Sequence, residues 1–284
     1  MTYEYYKYNP STGGAVFAAI CFAVATTAHG WQMFRTRTWF FIPFFIGGIY
    51  WTLMPYIIQS VFLLVAPALF AASIYMELGR IINLTDGDSR SIIGRTKLTK
   101  IFVTGDVLSF FAQSGGGGLL AKGSSIGNKI IIIGLVIQVV FFCLFIVTAT
   151  IFDTRMRRNP TLRISHQSIP WRNHLMALYV SSGLILVRSL YRLVEYGQGQ
   201  DGYLLSTEWP LYIFDFLLML STMFVFFWMH PSEIAALLRG GPAVRGFKDL
   251  PLLHNTALAT EQGLESLPSY ESTGRKGDVR VTGQ

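Results

Sequence analysis

Residues 39–76, WFFIPFFIGGIYWTLMPYIIQSVFLLVAPALFAASIYM, contain no Lys, Arg, Asp or Glu. One helix of that length would measure about 57 Å at 1.5 Å per residue, beyond any reasonable tilt across a hydrocarbon core about 30 Å thick. The run must therefore fold back on itself. Pro55 is the natural break, because proline lacks an N–H and disfavours helix at the preceding Met54. Two spans result, Tyr56–Met76 and a short Trp39–Met54 of about 24 Å.

Outward from this pair, five further apolar stretches read as spans: Gly13–Phe34, Ile101–Leu120, Ile130–Phe152, His174–Tyr196 and Trp209–Met229. The expected fold is an all-α integral membrane protein, a seven-helix bundle with a shortened second span. Basic residues crowd into alternate gaps: Arg35 and Arg37; Arg80, Arg90, Arg95, Lys97 and Lys100; Arg155, Arg157, Arg158, Arg163 and Arg172; and the tail from Arg239 onward. The other gaps hold only Lys7, Lys122 and Lys129. Cytoplasmic loops collect Lys and Arg, so the N-terminus (residues 1–12) is expected outside and the C-terminus in the cytoplasm. A re-entrant Trp39–Met54 would give six spans and an inside N-terminus with nearly the same charge split. Seven is preferred, because unpaired backbone in lipid is costly.

Composition fits this class: 51% of residues are hydrophobic and only 14% are charged. The net charge of +7 suits a membrane face bearing anionic lipid headgroups and is not read as nucleic-acid binding. Cys21 and Cys143 both fall within spans, where they read as packing residues, and they form neither a disulfide framework nor a zinc motif. No cofactor is expected. The first twelve residues lack a cationic segment ahead of a short apolar core, so the first span is expected to act as the uncleaved insertion signal. From residue 231 to 284 the chain turns rich in Gly, Pro, Ser, Glu and Lys, and a disordered cytoplasmic tail is expected. Within it, Leu267-Pro268-Ser269-Tyr270 has the form of a motif docked by WW domains, such as those of ubiquitin ligases.

Polar groups inside a membrane are expensive, so their positions carry the functional signal. In the sixth span Arg188, Arg192 and Glu195 fall on one helical face, and Asp215 of the seventh lies at matching depth. A buried pair or triad of Arg188, Arg192 and Asp215 is the simplest arrangement; a register-fixing ion cluster or snorkelling of Arg192 would use the same residues. In the fourth span Asp106, Ser109 and Gln113 share a face, and His230 ends the seventh span. That stripe either lines a path for an amphipathic molecule or joins helices by hydrogen bonds. Gly115-Gly116-Gly117-Gly118 follows, where backbone can unwind or a neighbour can approach closely; no Lys-Ser completes a phosphate loop.

Several segments together resemble the fungal lipid-translocating exporter family, the seven-span "resistance to aminocholesterol" group. They are Leu63 to Met76 with Gly79-Arg80-Ile81-Ile82; Gly105-Asp106-Val107-Leu108-Ser109-Phe110 with Gln113 and the glycine run; Gly134-Leu135 with Gln138; Val187-Arg188-Ser189 with Arg192 and Glu195; Phe214-Asp215; and His230-Pro231. The resemblance covers roughly residues 8 to 232. It implies a plasma-membrane or vacuolar-membrane protein that moves amphipathic lipids, sphingoid bases or sterol-like molecules, and confers efflux or toxicant resistance. Two departures stand out. A Glu-x-x-Gly-Tyr-x-x-Arg motif that closes the family's second span is missing where this chain passes from Gly47-Gly48 to Ile49-Tyr50-Trp51, and Ser232 stands where a glycine commonly follows His-Pro.

The substrate-pathway candidates are Asp106, Ser109, Gln113, Gln138, Arg188, Arg192, Glu195, Asp215 and His230. The alternative class is a seven-span, receptor-like lipid sensor that couples its basic loops to a partner without transport. A lipid hydrolase is not expected: His29, Asp106 and His230 are present, but no two histidines stand at ligand spacing on one helix.

Overall fold

The computed structural model describes residues 11–52, 56–161, 164, 170–199, 202–239 and 242–250, and most of these are helical. Helix α1 (Thr12–Thr36) starts at Ser11, whose Oγ accepts from Gly14 N at 3.2 Å, and ends at Arg37 with a left-handed φ of 51°. A 3-10 turn (Trp39–Phe41) leads into α2 (Ile42–Thr52). Then come α3 (Tyr56–Leu84), α4 (Arg95–Ala121), α5 (Ile126–Arg158) and α6 (Trp171–Gly197). A π-helical segment, Leu211–Leu217, runs into α7 (Leu218–Trp228), and a short α8 (Ser232–Arg239) follows.

Among the described residues, five stretches are long and apolar enough to cross a membrane: Gly13–Thr36, Val65–Leu84, Ile126–Arg158, Trp171–Gly197 and Leu211–Arg239. Helix α4, with 27 residues, is long enough but is not among them. Helix α2 is described over 11 residues, about 16 Å, up to Thr52. The expected break at Pro55 lies outside the described residues.

Side-chain placement inverts that of a soluble bundle. On α5 the exposed positions are Ile133, Val136, Val140, Leu144 and Val147, a helical stripe of aliphatic residues, while Gln138 and Thr148 face inward. Helix α6 likewise exposes Met176, Val180, Val187, Leu190 and Val194 and buries His174, Ser181, Ser182, Arg188, Arg192 and Glu195. Lipid tails solvate the outer face, and polar groups find partners only within the bundle. Cys143 also lies on the exposed side, which corrects its expected packing role, whereas Cys21 is half-buried.

Two contacts set the packing. Phe41, Phe44 and Phe70 stack in sequence, with centroids 4.5 and 4.3 Å apart, and hold α2 against α3. Helices α4 and α5 meet through glycine: a Cβ on Gly127 would lie 2.5 Å from Gly116 O, and one on Gly134 would lie 3.0 Å from Ser109 O. The four-glycine run therefore does not unwind. The helix continues through it to Ala121, and only Gly116 of the four is pressed against a neighbour.

The tail expected to be disordered from residue 231 is ordered for its first part. Helix α8 packs on α3, and an antiparallel hairpin, β1 (Ala243–Arg245) and β2 (Lys248–Leu250), follows it. Ser232 Oγ accepts from Val244 N at 3.1 Å, and Gln32 Nε2 donates to Gly246 O at 2.9 Å. These long-range bonds order a segment whose composition alone reads as coil. The WW-type motif at Leu267–Tyr270 lies outside the described residues.

Candidate functional site

One end of the bundle is marked by Ser11 N donating to Glu208 Oε1 (2.9 Å) and Asn128 Nδ2 donating to Tyr196 O (3.4 Å). Just inside it, the four charged candidates of α6 and the π segment converge. Arg188 Nε lies 2.9 Å from Asp215 Oδ1, and Arg192 pairs with Asp215 through Nη2 while its Nη1 lies 2.8 Å from Glu195 Oε2. Tyr191 OH donates to the other Glu195 oxygen at 3.2 Å. Asp215 is fully buried, and both guanidiniums are nearly so. Two cations and two carboxylates make the cluster formally neutral, the condition under which charges survive a low-dielectric interior. The π-helical turn is a device often found at functional sites, and it carries Asp215 into this cluster.

Deeper in the bundle, α4 supplies the second set. Gln113 Nε2 donates to Ser109 Oγ (2.5 Å) and to Gln138 Oε1 of α5 (3.0 Å). Asp106, one turn before Ser109, is buried and stands beside Tyr75; among the described residues neither carboxylate oxygen has a partner of ordinary hydrogen-bond geometry.

The opposite end holds a third set. His174 of α6 bridges two acids, with Nδ1 3.6 Å from Glu77 Oε1 and Nε2 3.1 Å from Glu233 Oε2, and Arg245 reaches Glu233 at 3.2 Å. His230 accepts from Ser232 N through Nδ1 (3.3 Å), and its ring lies 6.4 Å from that of His29, which donates to Met223 O at 2.8 Å. Among the described residues no group of three or more His, Cys, Asp or Glu gathers at metal-binding range.

A family model for RTA1-like proteins matches residues 43–237. The chain belongs to the RTA1-like family. Protein RTA1 of Saccharomyces cerevisiae is 35% identical over 271 residues, covering 81% of this chain and 85% of the relative. Protoporphyrin uptake protein 1 of the same yeast is 41% identical over 203 residues, 66% of this chain and 67% of the relative. A sphingoid long-chain base transporter, RSB1 of strain YJM789, is 25% identical over 265 residues, 75% of this chain and 69% of the relative. No solved structure matches. The chain is thus a multi-pass membrane protein of a fungal family whose members include named lipid transporters. The alignment with RTA1 is longer than the stretch of this chain it covers, so the relative carries residues absent here.

In this RTA1-like chain the nine candidates form two joined groups and two separate points. Arg188, Arg192, Glu195 and Asp215 make one group and Ser109, Gln113 and Gln138 the other; Asp106 stands apart from both, beside Tyr75, and His230 lies at the far end. Sequence reasoning missed the bridge from Glu77 through His174 and Glu233 to Arg245, whose members come from α3, α6, α8 and β1. Its one available signal was Glu77 next to a span end. None of the nine candidates lines the cavity of about 720 Å³ at the basic end of the bundle.

Proposed function

We propose that this chain translocates amphipathic lipids, of the sphingoid-base or sterol-like kind, across a fungal plasma membrane. In this account seven helices cross the bilayer, with α2 as a short second span, the N-terminus outside and the C-terminus in the cytoplasm. The observation that carries the proposal is the neutral, buried cluster of Arg188, Arg192, Glu195 and Asp215 near one end of the bundle. It offers both hydrogen-bond donors and acceptors at membrane depth, and an amine or hydroxyl headgroup would exchange with its internal bonds as it passes. The inward face of Asp106, Ser109, Gln113 and Gln138 continues the polar track toward the other end, where His230 and Glu77 take it up. Kinship with a named sphingoid long-chain base transporter supports the substrate class.

The test is release of a labelled sphingoid base from fungal cells that express the chain, with cell-surface abundance measured in parallel. Expression should raise release and resistance to the added base, and Arg192→Gln at equal surface abundance should abolish the increase. Release unchanged by a surface-localised chain would reject the proposal; a lipid-dependent signal without release would identify a sensor instead.

A further inference from the structure

The cavity at the basic end lies outside the proposed lipid track and has a chemistry of its own. Its volume is about 720 Å³, and its walls carry four guanidiniums: Arg35 and Arg37 from the end of α1, Arg80 from α3 and Arg239 from α8. Among the described residues no carboxylate lines it. Asp249 pairs with Arg35 from outside the lining at 2.6 Å, and Glu77, behind Arg80, faces His174. Arg80 and Arg239 are close enough for their like charges to oppose one another. Arg37 holds a left-handed backbone that asparagine or glycine would adopt more cheaply. Cations at the ends of α1 and α8 complement those helix dipoles. That does not explain why a third helix adds Arg80, stacked 3.5 Å over Phe40, to the same cavity.

We propose that this cavity binds the phosphate-bearing headgroup of an anionic lipid. Guanidinium groups present paired donors matched to phosphate oxygens, and a ligand with more than one negative charge would relieve the repulsion among them. A protonated amine would be repelled, so the cavity is not an entrance for a sphingoid base. A membrane lipid is favoured over a soluble phosphate ester because Trp39 lines the cavity and sits edge-on to the exposed Phe34, 5.6 Å between centroids; such aromatic residues mark the bilayer interface. That the bound lipid comes from the cytoplasmic leaflet rests on the proposed orientation; the binding itself does not, and it neither requires nor tests transport.

The experiment uses the full chain purified in a neutral detergent, with binding of dioctanoyl phosphatidic acid, dioctanoyl phosphatidylcholine and glycerol 3-phosphate followed by native mass spectrometry. Phosphatidic acid should bind at least about tenfold more tightly than phosphatidylcholine, since one good charge-assisted contact is worth that much. Its affinity should fall as salt rises. Arg37 and Arg239 are both exposed, so Arg37→Gln with Arg239→Gln should leave the unliganded melting temperature unchanged and weaken phosphatidic acid by about tenfold or more. The corresponding double lysine variant keeps the charge and should retain most of the binding. Equal affinity for the two lipids, or an unchanged affinity in the folded glutamine variant, overturns the site. Glycerol 3-phosphate binding as tightly as phosphatidic acid overturns the lipid assignment in favour of a soluble phosphate ester.

Discussion

Asp215→Asn probes the charged cluster most sharply, because one fully buried carboxylate serves two guanidiniums. Neutralising it leaves two guanidiniums against one carboxylate: Arg188 loses its 2.9 Å pair with Asp215, while Arg192 keeps Glu195 at 2.8 Å. Removing one partner of a buried pair costs about 3–5 kcal/mol. Arg188→Gln should cost less, since Asp215 stays paired with Arg192. Combined with Asp215→Asn, it restores the balance of charge, and the double variant should fall short of the summed single losses by about 0.5–3 kcal/mol. The assay is unfolding in mixed micelles by titration with sodium dodecyl sulfate, followed by circular dichroism, for the wild type and the three variants. Purely additive losses would refute the pairing. A double variant that regains stability but not lipid release would separate the cluster's structural part from its part in transport.

Other consequences follow from named contacts. Asn83-Leu84-Thr85 should remain unglycosylated when the chain is made in a eukaryotic host, because the proposed orientation puts Asn83 in the cytoplasm and Thr85 is fully buried; a glycosidase-sensitive mass shift at Asn83 would reverse the orientation. Gly127→Ala drives a Cβ to 2.5 Å from Gly116 O and should cost about 1–3 kcal/mol in micelle unfolding, whereas Gly115→Ala meets nothing within 4 Å and should be neutral or stabilising. Gln32→Ala removes buried bonds to Phe227 O and Gly246 O, and should expose Lys248 to trypsin far more than Asp249→Asn does. The Arg35 guanidinium beside Asp249 holds its carboxyl below the ordinary value, so this contribution is complete above the ordinary aspartate range and fades as pH falls through the lowered value. Being exposed, the pair contributes little, and acidification alone should leave the hairpin docked.

The long helices were legible because lipid imposes a length and a composition on them. Their ends were less so: α3 runs on from Met76 to Leu84 and α5 from Phe152 to Arg158, because a helix does not stop where its charges begin. The Arg188, Arg192 and Asp215 arrangement could be foreseen from depth, since an isolated charge in lipid must find a partner near its own level. The Glu77, His174 and Glu233 bridge could not. In the sequence Glu77 and His174 stand at the edges of the expected spans, where no pairing is forced, although both are buried in the fold, and α8 was hidden by the Gly240-Gly241-Pro242 that follows it. The order of residues 232–239 and 242–250 depends on Ser232 and Gln32 meeting backbone distant in sequence, a tertiary effect that local composition does not encode. Similarly, four consecutive glycines read as a break, yet the close α4–α5 crossing keeps them helical.

The most direct measurement is movement of a fluorescent sphingoid base between leaflets of liposomes reconstituted with the purified chain, read by quenching of the outer-leaflet probe. The rate should exceed that of protein-free liposomes and fall to background with Arg192→Gln, at equal protein incorporation. A folded, correctly inserted chain that leaves the rate at background under every imposed ion gradient would contradict it.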